Sequence, residues 1–74
     1  PAYPREIIKR ALDLHATAII LVHNHPSGDP KPSKADMELT RTICDATKAV
    51  GIVVHDHIIV ARNTTFSFKS QGLL

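Results

Sequence analysis

A single cysteine, Cys44, stands in 74 residues. It cannot form an internal disulfide, which excludes the stapled scaffold of a small secreted domain. Four cysteines would be needed for an ordinary zinc ribbon, so that is excluded as well. There is no tryptophan, and aromatic residues make up only 4% of the chain. With 43% hydrophobic residues the chain is not disordered, but its core must be aliphatic. Its length is near the lower limit for a self-sufficient core, about 70–80 residues. The longest apolar run, Ala16 to Val22, is interrupted by Thr17. It falls far short of the roughly 20 residues that span a bilayer, so no membrane role is expected. No signal-peptide pattern is present, and position 1 is Pro; the sequence reads as starting inside a longer gene product or after processing. Charge of either sign is not concentrated. Nine Lys and Arg against seven Asp and Glu give +2. Arg5, Lys9 and Arg10 lie near the start and the other cations are scattered among acids. The clustered basic stripe of a nucleic-acid binder is missing.

Local patterns give the order helix, strand, helix, strand, strand. Pro4 suits a first helical position, and Ile7, Ile8, Ala11, Leu12 and Leu14 recur at helical spacing. That spacing predicts a helix from Pro4 to about His15. Thr17 to His23 is short and almost wholly apolar, the pattern of a strand covered on both faces. Three of the five prolines fall in Pro26–Pro32 and mark one rigid loop. Ser33 then opens a second helix as N-cap, with Asp36 three residues on. Ala35, Leu39, Ile43, Ala46, Thr47 and Val50 mark its inner face, and Gly51 fits the position just past its end. Ile52–Val60 reads as a second strand and Thr65–Phe68 as a third. Strand–helix–strand implies a parallel or mixed sheet. Three strands with apolar faces leave surface uncovered, so further strands are expected from outside the chain or from a second copy.

The chemistry concentrates around the Pro/Gly loop. His23 and His25 are two positions apart. If the strand runs on to His25, both rings share one face with Cα atoms about 7 Å apart. Asp36 lies in the first turn of the next helix, where the dipole favours its ionised form. The loop returns the chain toward the histidines. Two imidazoles and one carboxylate make a zinc site with one position left for water, the pattern of a catalytic rather than a structural zinc. Ser33 has two readings, helix cap or donor to an oxyanion. One hydroxyl does not easily serve both.

His-x-His, seven residues, then Ser-x-x-Asp resembles the JAMM motif of JAB/MPN metalloproteases. Around it, His23-Asn24-His25-Pro26-Ser27-Gly28-Asp29-Pro30, Pro32-Ser33 and Asp36 resemble the RadC branch of that superfamily. Pro4-Arg5-Glu6, Asp56-His57-Ile58-Ile59, Phe66-Ser67-Phe68 and Gly72-Leu73-Leu74 agree. The resemblance covers nearly the whole chain. It implies an α/β JAB/MPN fold, cytidine-deaminase-like, with a mixed sheet, flanking helices and its N-terminal strands outside the chain. Residues 1–74 would be one partial domain. The resemblance also implies that His23, His25 and Asp36 hold Zn²⁺ and that Ser33 serves the oxyanion. The motif further requires an upstream Glu as general base. Glu6 and Glu38 are the only glutamates, and neither fits that place.

Other readings of the same residues are weaker. His-Asn-His is not the dispersed constellation of an HNH nuclease, and a zinc deaminase needs His-x-Glu with Pro-Cys-x-x-Cys. His55 and His57 form a second His-x-His around Asp56, without evident further ligands. Asp56 and His57 are candidates for hydrogen bonds in support of the first site. His15 ends the first helix, where the dipole favours a cation and capping is the plain reading, and Cys44 is a small buried hydrophobe. The expected function is a zinc-dependent hydrolase of peptide or isopeptide bonds, with an unknown peptide or protein substrate. The alternatives are a DNA-repair-associated or nucleic-acid-processing factor, or a metal-stabilised interaction module without catalysis. A bacterial cytoplasm and a homodimer are the expected setting.

Overall fold

The computed structural model describes residues 3–74. Helix α1 spans Pro4–Asp13, strand β1 Ala18–Asn24, helix α2 Lys34–Ala49, strand β2 Val53–Val60 and strand β3 Thr65–Ser67. The sheet order is β1-β2-β3. β1 and β2 are parallel, with α2 as their connection, and β2 and β3 are antiparallel. This is the mixed α/β architecture that the sequence predicts. No helix among the described residues is long and apolar enough to cross a membrane.

The two helix ends have the same physical solution. α2 closes with Gly51 at φ 75°, its N–H on the Lys48 carbonyl and the Ile52 N–H on the Thr47 carbonyl. That pair of bonds is a Schellman motif, and glycine takes its left-handed position without a Cβ penalty. α1 ends earlier than its apolar spacing predicts, at Asp13. His15 lies beyond the end, at φ 56°. Its N–H bonds the Leu12 carbonyl, and the Ala16 N–H bonds Ala11. His15 therefore fills the place that glycine fills after α2.

The core lies between α2 and the sheet. Ile43 is 1% exposed, Ile59 0% and Phe68 1%. Thr40 and Thr47 of α2 are buried with them. The inner face of α2 thus runs through Thr40, Ile43 and Thr47, while Ala35 and Val50 are exposed. β1 is not covered on both faces. Its residues alternate, and Ile20 and Val22 are 54% and 66% exposed. The apolar run expected for a two-sided strand is real, but one of its faces is open among the described residues.

A bulge decides which side chains of β2 face inward. The register passes from Ile19↔Val54 to Ile20↔Asp56, leaving His55 unpaired. One extra residue flips the alternation. Ile52 is buried before the bulge, and His57 and Ile59 are buried after it. His57 faces the core for this reason, while His55 is exposed.

Candidate metal centre

β1 delivers the first two candidate ligands. His23 pairs in register with Ile59, and the ladder continues one bond past the strand, from the His25 N–H to the Val60 carbonyl at 2.9 Å. The extended backbone therefore reaches His25, as the shared-face argument requires. The rings meet edge to face with centroids 4.7 Å apart. The loop then folds back so that the Asp29 carbonyl accepts from His25 Nδ1 at 2.8 Å. A carbonyl can only accept, so Nδ1 carries the proton and Nε2 is the nitrogen turned to the site.

α2 delivers the third. Ser33 Oγ accepts the Asp36 N–H at 3.0 Å, and Asp36 Oδ2 accepts the Ser33 N–H at 2.8 Å. This reciprocal capping box fixes the start of the helix and the orientation of the carboxylate together. The same Oδ2 lies 3.0 Å from His25 Nε2, and Oδ1 lies 3.6 Å from His23 Nε2. One ligand atom from each of the three residues falls within 4.8 Å of the others. Ligand atoms at 2.0–2.1 Å from a tetrahedral ion stand about 3.3 Å apart. The two histidine nitrogens stand near that distance from the two Asp36 oxygens, and the donor set could hold a metal ion. Among the described residues, no second group of this kind forms around His55 and His57.

Asp36 is half-buried. Burial alone would push its carboxyl up. The Ser33 N–H and hydroxyl, with His23 and His25, outweigh this and hold it below its ordinary value. The carboxylate is thus kept as an anion, the form a cation needs. Ser33 does cap the helix, but as an acceptor. Its own hydroxyl proton is not consumed by that bond. The proton faces the Asp36 carboxylate, whose pKa it helps to lower, so helping an oxyanion would require the hydroxyl to turn away.

The two supporting candidates separate, because neighbours on a strand face opposite ways. Asp56 turns from the histidines. Its carboxylate accepts from Ser67 Oγ at 2.6 Å, the His57 N–H at 2.7 Å and the Lys69 N–H at 3.0 Å. It fixes the turn after β3 and makes no hydrogen bond to the candidate ligands. His57 is 3% exposed and stacks on Phe68, with centroids 4.4 Å apart and planes 11° apart. Its ring centroid is 5.6 Å from that of His23. Burial, then the charge of His23, push its pKa down and favour the neutral ring.

Sequence reasoning missed three participants. Thr40 bonds both the Asp36 carbonyl, at 2.8 Å, and His57 Nδ1, at 2.6 Å. Its spacing of four from Asp36 could have marked it as sharing that helix face. Asp29 acts through its backbone carbonyl, which no residue type reveals. Phe68 becomes a partner of His57 only because β3 returns beside β2. Cys44 is half-buried, and burial, then Asp45, push its thiol up, so it is no activated nucleophile.

Comparison with known proteins agrees with this architecture. Residues 1–73 match the family model of the RadC-like JAB domain. The whole chain is 55% identical over 74 residues to a UPF0758 protein of Rhodobacter capsulatus, and it spans 35% of that relative's length.

Proposed function

The chain belongs to the RadC-like JAB domain family, and from this premise we propose that it is the metal-binding part of a zinc-dependent hydrolase acting on peptide or isopeptide bonds. The observation that carries the proposal is the convergence of His23 Nε2, His25 Nε2 and the Asp36 carboxylate. These three residues would hold the ion. The chemistry the ion supplies when bound is Lewis acidity toward a carbonyl and an acidified water. The chain's own residues prepare for it. The Asp29 carbonyl orients His25, and the Ser33 N–H and Oγ orient Asp36. The proposed catalytic role of Ser33 is to donate to an oxyanion developing beside the site, its hydroxyl turning from the Asp36 carboxylate to do so. Glu6 is exposed in the first turn of α1 and Glu38 is exposed on α2, and neither joins the ligand group. The general base is therefore assigned to a part of the longer protein outside these 74 residues. The lone cysteine and the family suit a bacterial cytoplasm.

Metal content and cleavage together test this reading. Protein purified without a His-tag should hold one zinc per chain, and His23→Ala/His25→Ala should hold none. The longer protein should then cut members of a peptide and isopeptide panel, and Asp36→Ala should abolish cleavage. Cleavage of DNA and not of peptides would favour the nucleic-acid alternative. Zinc binding with cleavage of neither would favour an interaction module, to which a second copy is a plausible partner through the free edge of β1. Absence of zinc after addition and dialysis would overturn the metal reading altogether.

A further inference from the structure

The Thr40 hydroxyl has one proton and two close partners. It lies 2.8 Å from the Asp36 carbonyl and 2.6 Å from His57 Nδ1. A carbonyl oxygen has no proton to give. If Thr40 donated to His57, two bare oxygens would face each other at 2.8 Å. Both contacts become hydrogen bonds in one arrangement only: His57 Nδ1–H donates to Thr40 Oγ, and Thr40 O–H donates to the Asp36 carbonyl. The neutral ring then carries its lone pair on Nε2. No described protein group pairs with that nitrogen, yet no buried side-chain nitrogen or oxygen is left without a partner. Nε2 must therefore open onto a surface. The ring lines a groove of about 700 Å³ together with Ile7, Leu21, His23, Asp36 and Ile43.

We propose that His57 is a further functional residue of this site: Thr40 locks it as the Nδ1–H tautomer, so that Nε2 offers a lone pair to a hydrogen-bond donor lying in the groove beside His23 and Asp36. The donor class is an O–H or N–H group, a water or an amide of a bound chain. Three features hold the acceptor still. Phe68 stacks under the ring, the β2 bulge turns it inward, and Thr40 fixes its rotation and its proton. The Thr40 hydroxyl also ties this acceptor to the backbone of the residue that bears the carboxylate, so His57 and Asp36 keep a constant separation. The tautomer follows from the geometry alone. Its use by a donor at the metal rests on the proposed metal site.

Histidine-detected ¹⁵N NMR on the whole chain tests the two parts separately, at about pH 8, where an ordinary imidazole is neutral. His57 should show a protonated Nδ1 and an unprotonated Nε2. Thr40→Val, which removes the acceptor and keeps the shape, should move the proton to Nε2, and Thr40→Ser should restore the original tautomer. An Nε2–H ring in the wild type would overturn the proposal, as would an unchanged tautomer in Thr40→Val. On addition of Zn²⁺ alone, Nε2 of His57 should shift toward the hydrogen-bonded position while Nδ1 keeps its proton. A His57 signal that does not move while His23 and His25 do would also overturn it. Stationary His23 and His25 signals would instead sink the metal reading and leave the tautomer result standing. In the longer protein, His57→Gln, whose amide oxygen can reach the place of Nε2, should keep more activity than His57→Asn at equal zinc content. Equal activity of the two variants would count against the acceptor role.

Discussion

The Asp36 carboxylate lies 3.0 Å from His25 Nε2, across eleven positions of the chain. The oxygen that makes this contact also accepts the Ser33 N–H that begins α2. One atom therefore serves the helix end and the candidate metal centre. The helix cannot fray at its start without displacing a ligand, and the ligand is held by a bond that forms whenever the helix forms.

Substitution can separate these two duties. Ser33→Ala removes the capping acceptor and should cost about 1 kcal/mol. For a domain of this size that is a loss of about 4–8 °C in Tm. All three ligands remain, so zinc affinity should fall only about tenfold, as when a supporting partner of a ligand is lost. Asp36→Asn keeps an oxygen for the Ser33 N–H and removes the anion. Its Tm without metal should change by less than that of Ser33→Ala, while zinc affinity falls more than about 100-fold. Thermal melts with chelator and isothermal titration with Zn²⁺ read the two effects. A large metal-free Tm loss in Asp36→Asn with unchanged affinity would reverse the assignment.

His15 offers the opposite test, a change that should stabilise. A side chain in the left-handed region costs roughly 1–2 kcal/mol, and glycine avoids the cost at a greater loss of chain entropy. Histidine tolerates this region better than most residues. His15→Gly should therefore gain about 0.5 kcal/mol, raising Tm by about 2–4 °C with zinc affinity unchanged. The ring is exposed, so no packing is lost. A lower Tm would mean that the ring has a role the geometry does not display.

What the sequence made legible depended on range. The caps at Ser33 and Gly51, the parallel pairing and the His23–His25–Asp36 group follow from spacings of two to thirteen residues and from known turn chemistry. The features that escaped depend on the third dimension. The β2 bulge is invisible because His55-Asp56-His57 sits in an otherwise regular apolar run. Without the bulge, a strand with Ile52 inward would turn His57 outward. Thr40 looked like one more polar helix residue. Its burial at 2% follows from the ring placed opposite it by the bulge. The open face of β1 carries Ile20 and Val22, and composition alone cannot tell a strand covered within its own chain from one covered by other segments.

Metal should stabilise the fold as well as occupy it. Folding brings the three donors together, so zinc binds the native state far better than the unfolded chain. At a free concentration 100 times Kd the gain is about 2.7 kcal/mol, or roughly 10 °C or more in Tm here. His25→Ala should abolish that shift, because it removes Nε2 and frees the Asp29 carbonyl of its partner. His55→Ala should leave it intact, since His55 is exposed in the bulge, outside the ligand group. Differential scanning fluorimetry with and without Zn²⁺ distinguishes them. An equal loss of the shift in both variants would point to adventitious binding by any exposed imidazole.

Acid should reveal the second carboxylate of the fold. Burial would push the Asp56 carboxyl up, but the Ser67 hydroxyl, the Lys69 and His57 N–H groups and the Lys69 charge hold it below its ordinary value of 3.8. A carboxyl lowered in the folded state binds fewer protons there than in the unfolded chain. Its stabilisation is therefore complete above the unfolded value and is lost as pH falls through the folded one. Asp36 is also lowered and acts in the same window, so both must be separated by substitution. Asp56→Asn should cost about 1–2 kcal/mol at neutral pH, the loss of a charged acceptor for three donors. Below about pH 4 the wild-type advantage should shrink toward zero, because protonation removes the same charge. Urea denaturation at pH 7, 4 and 3 without metal measures the difference. If the gap between the two proteins were constant across that range, the Asp56 charge would contribute nothing. The turn from Ser67 to Gly72 would then be held by its backbone bonds and by the Ser67 hydroxyl, which accepts the Ser70 N–H.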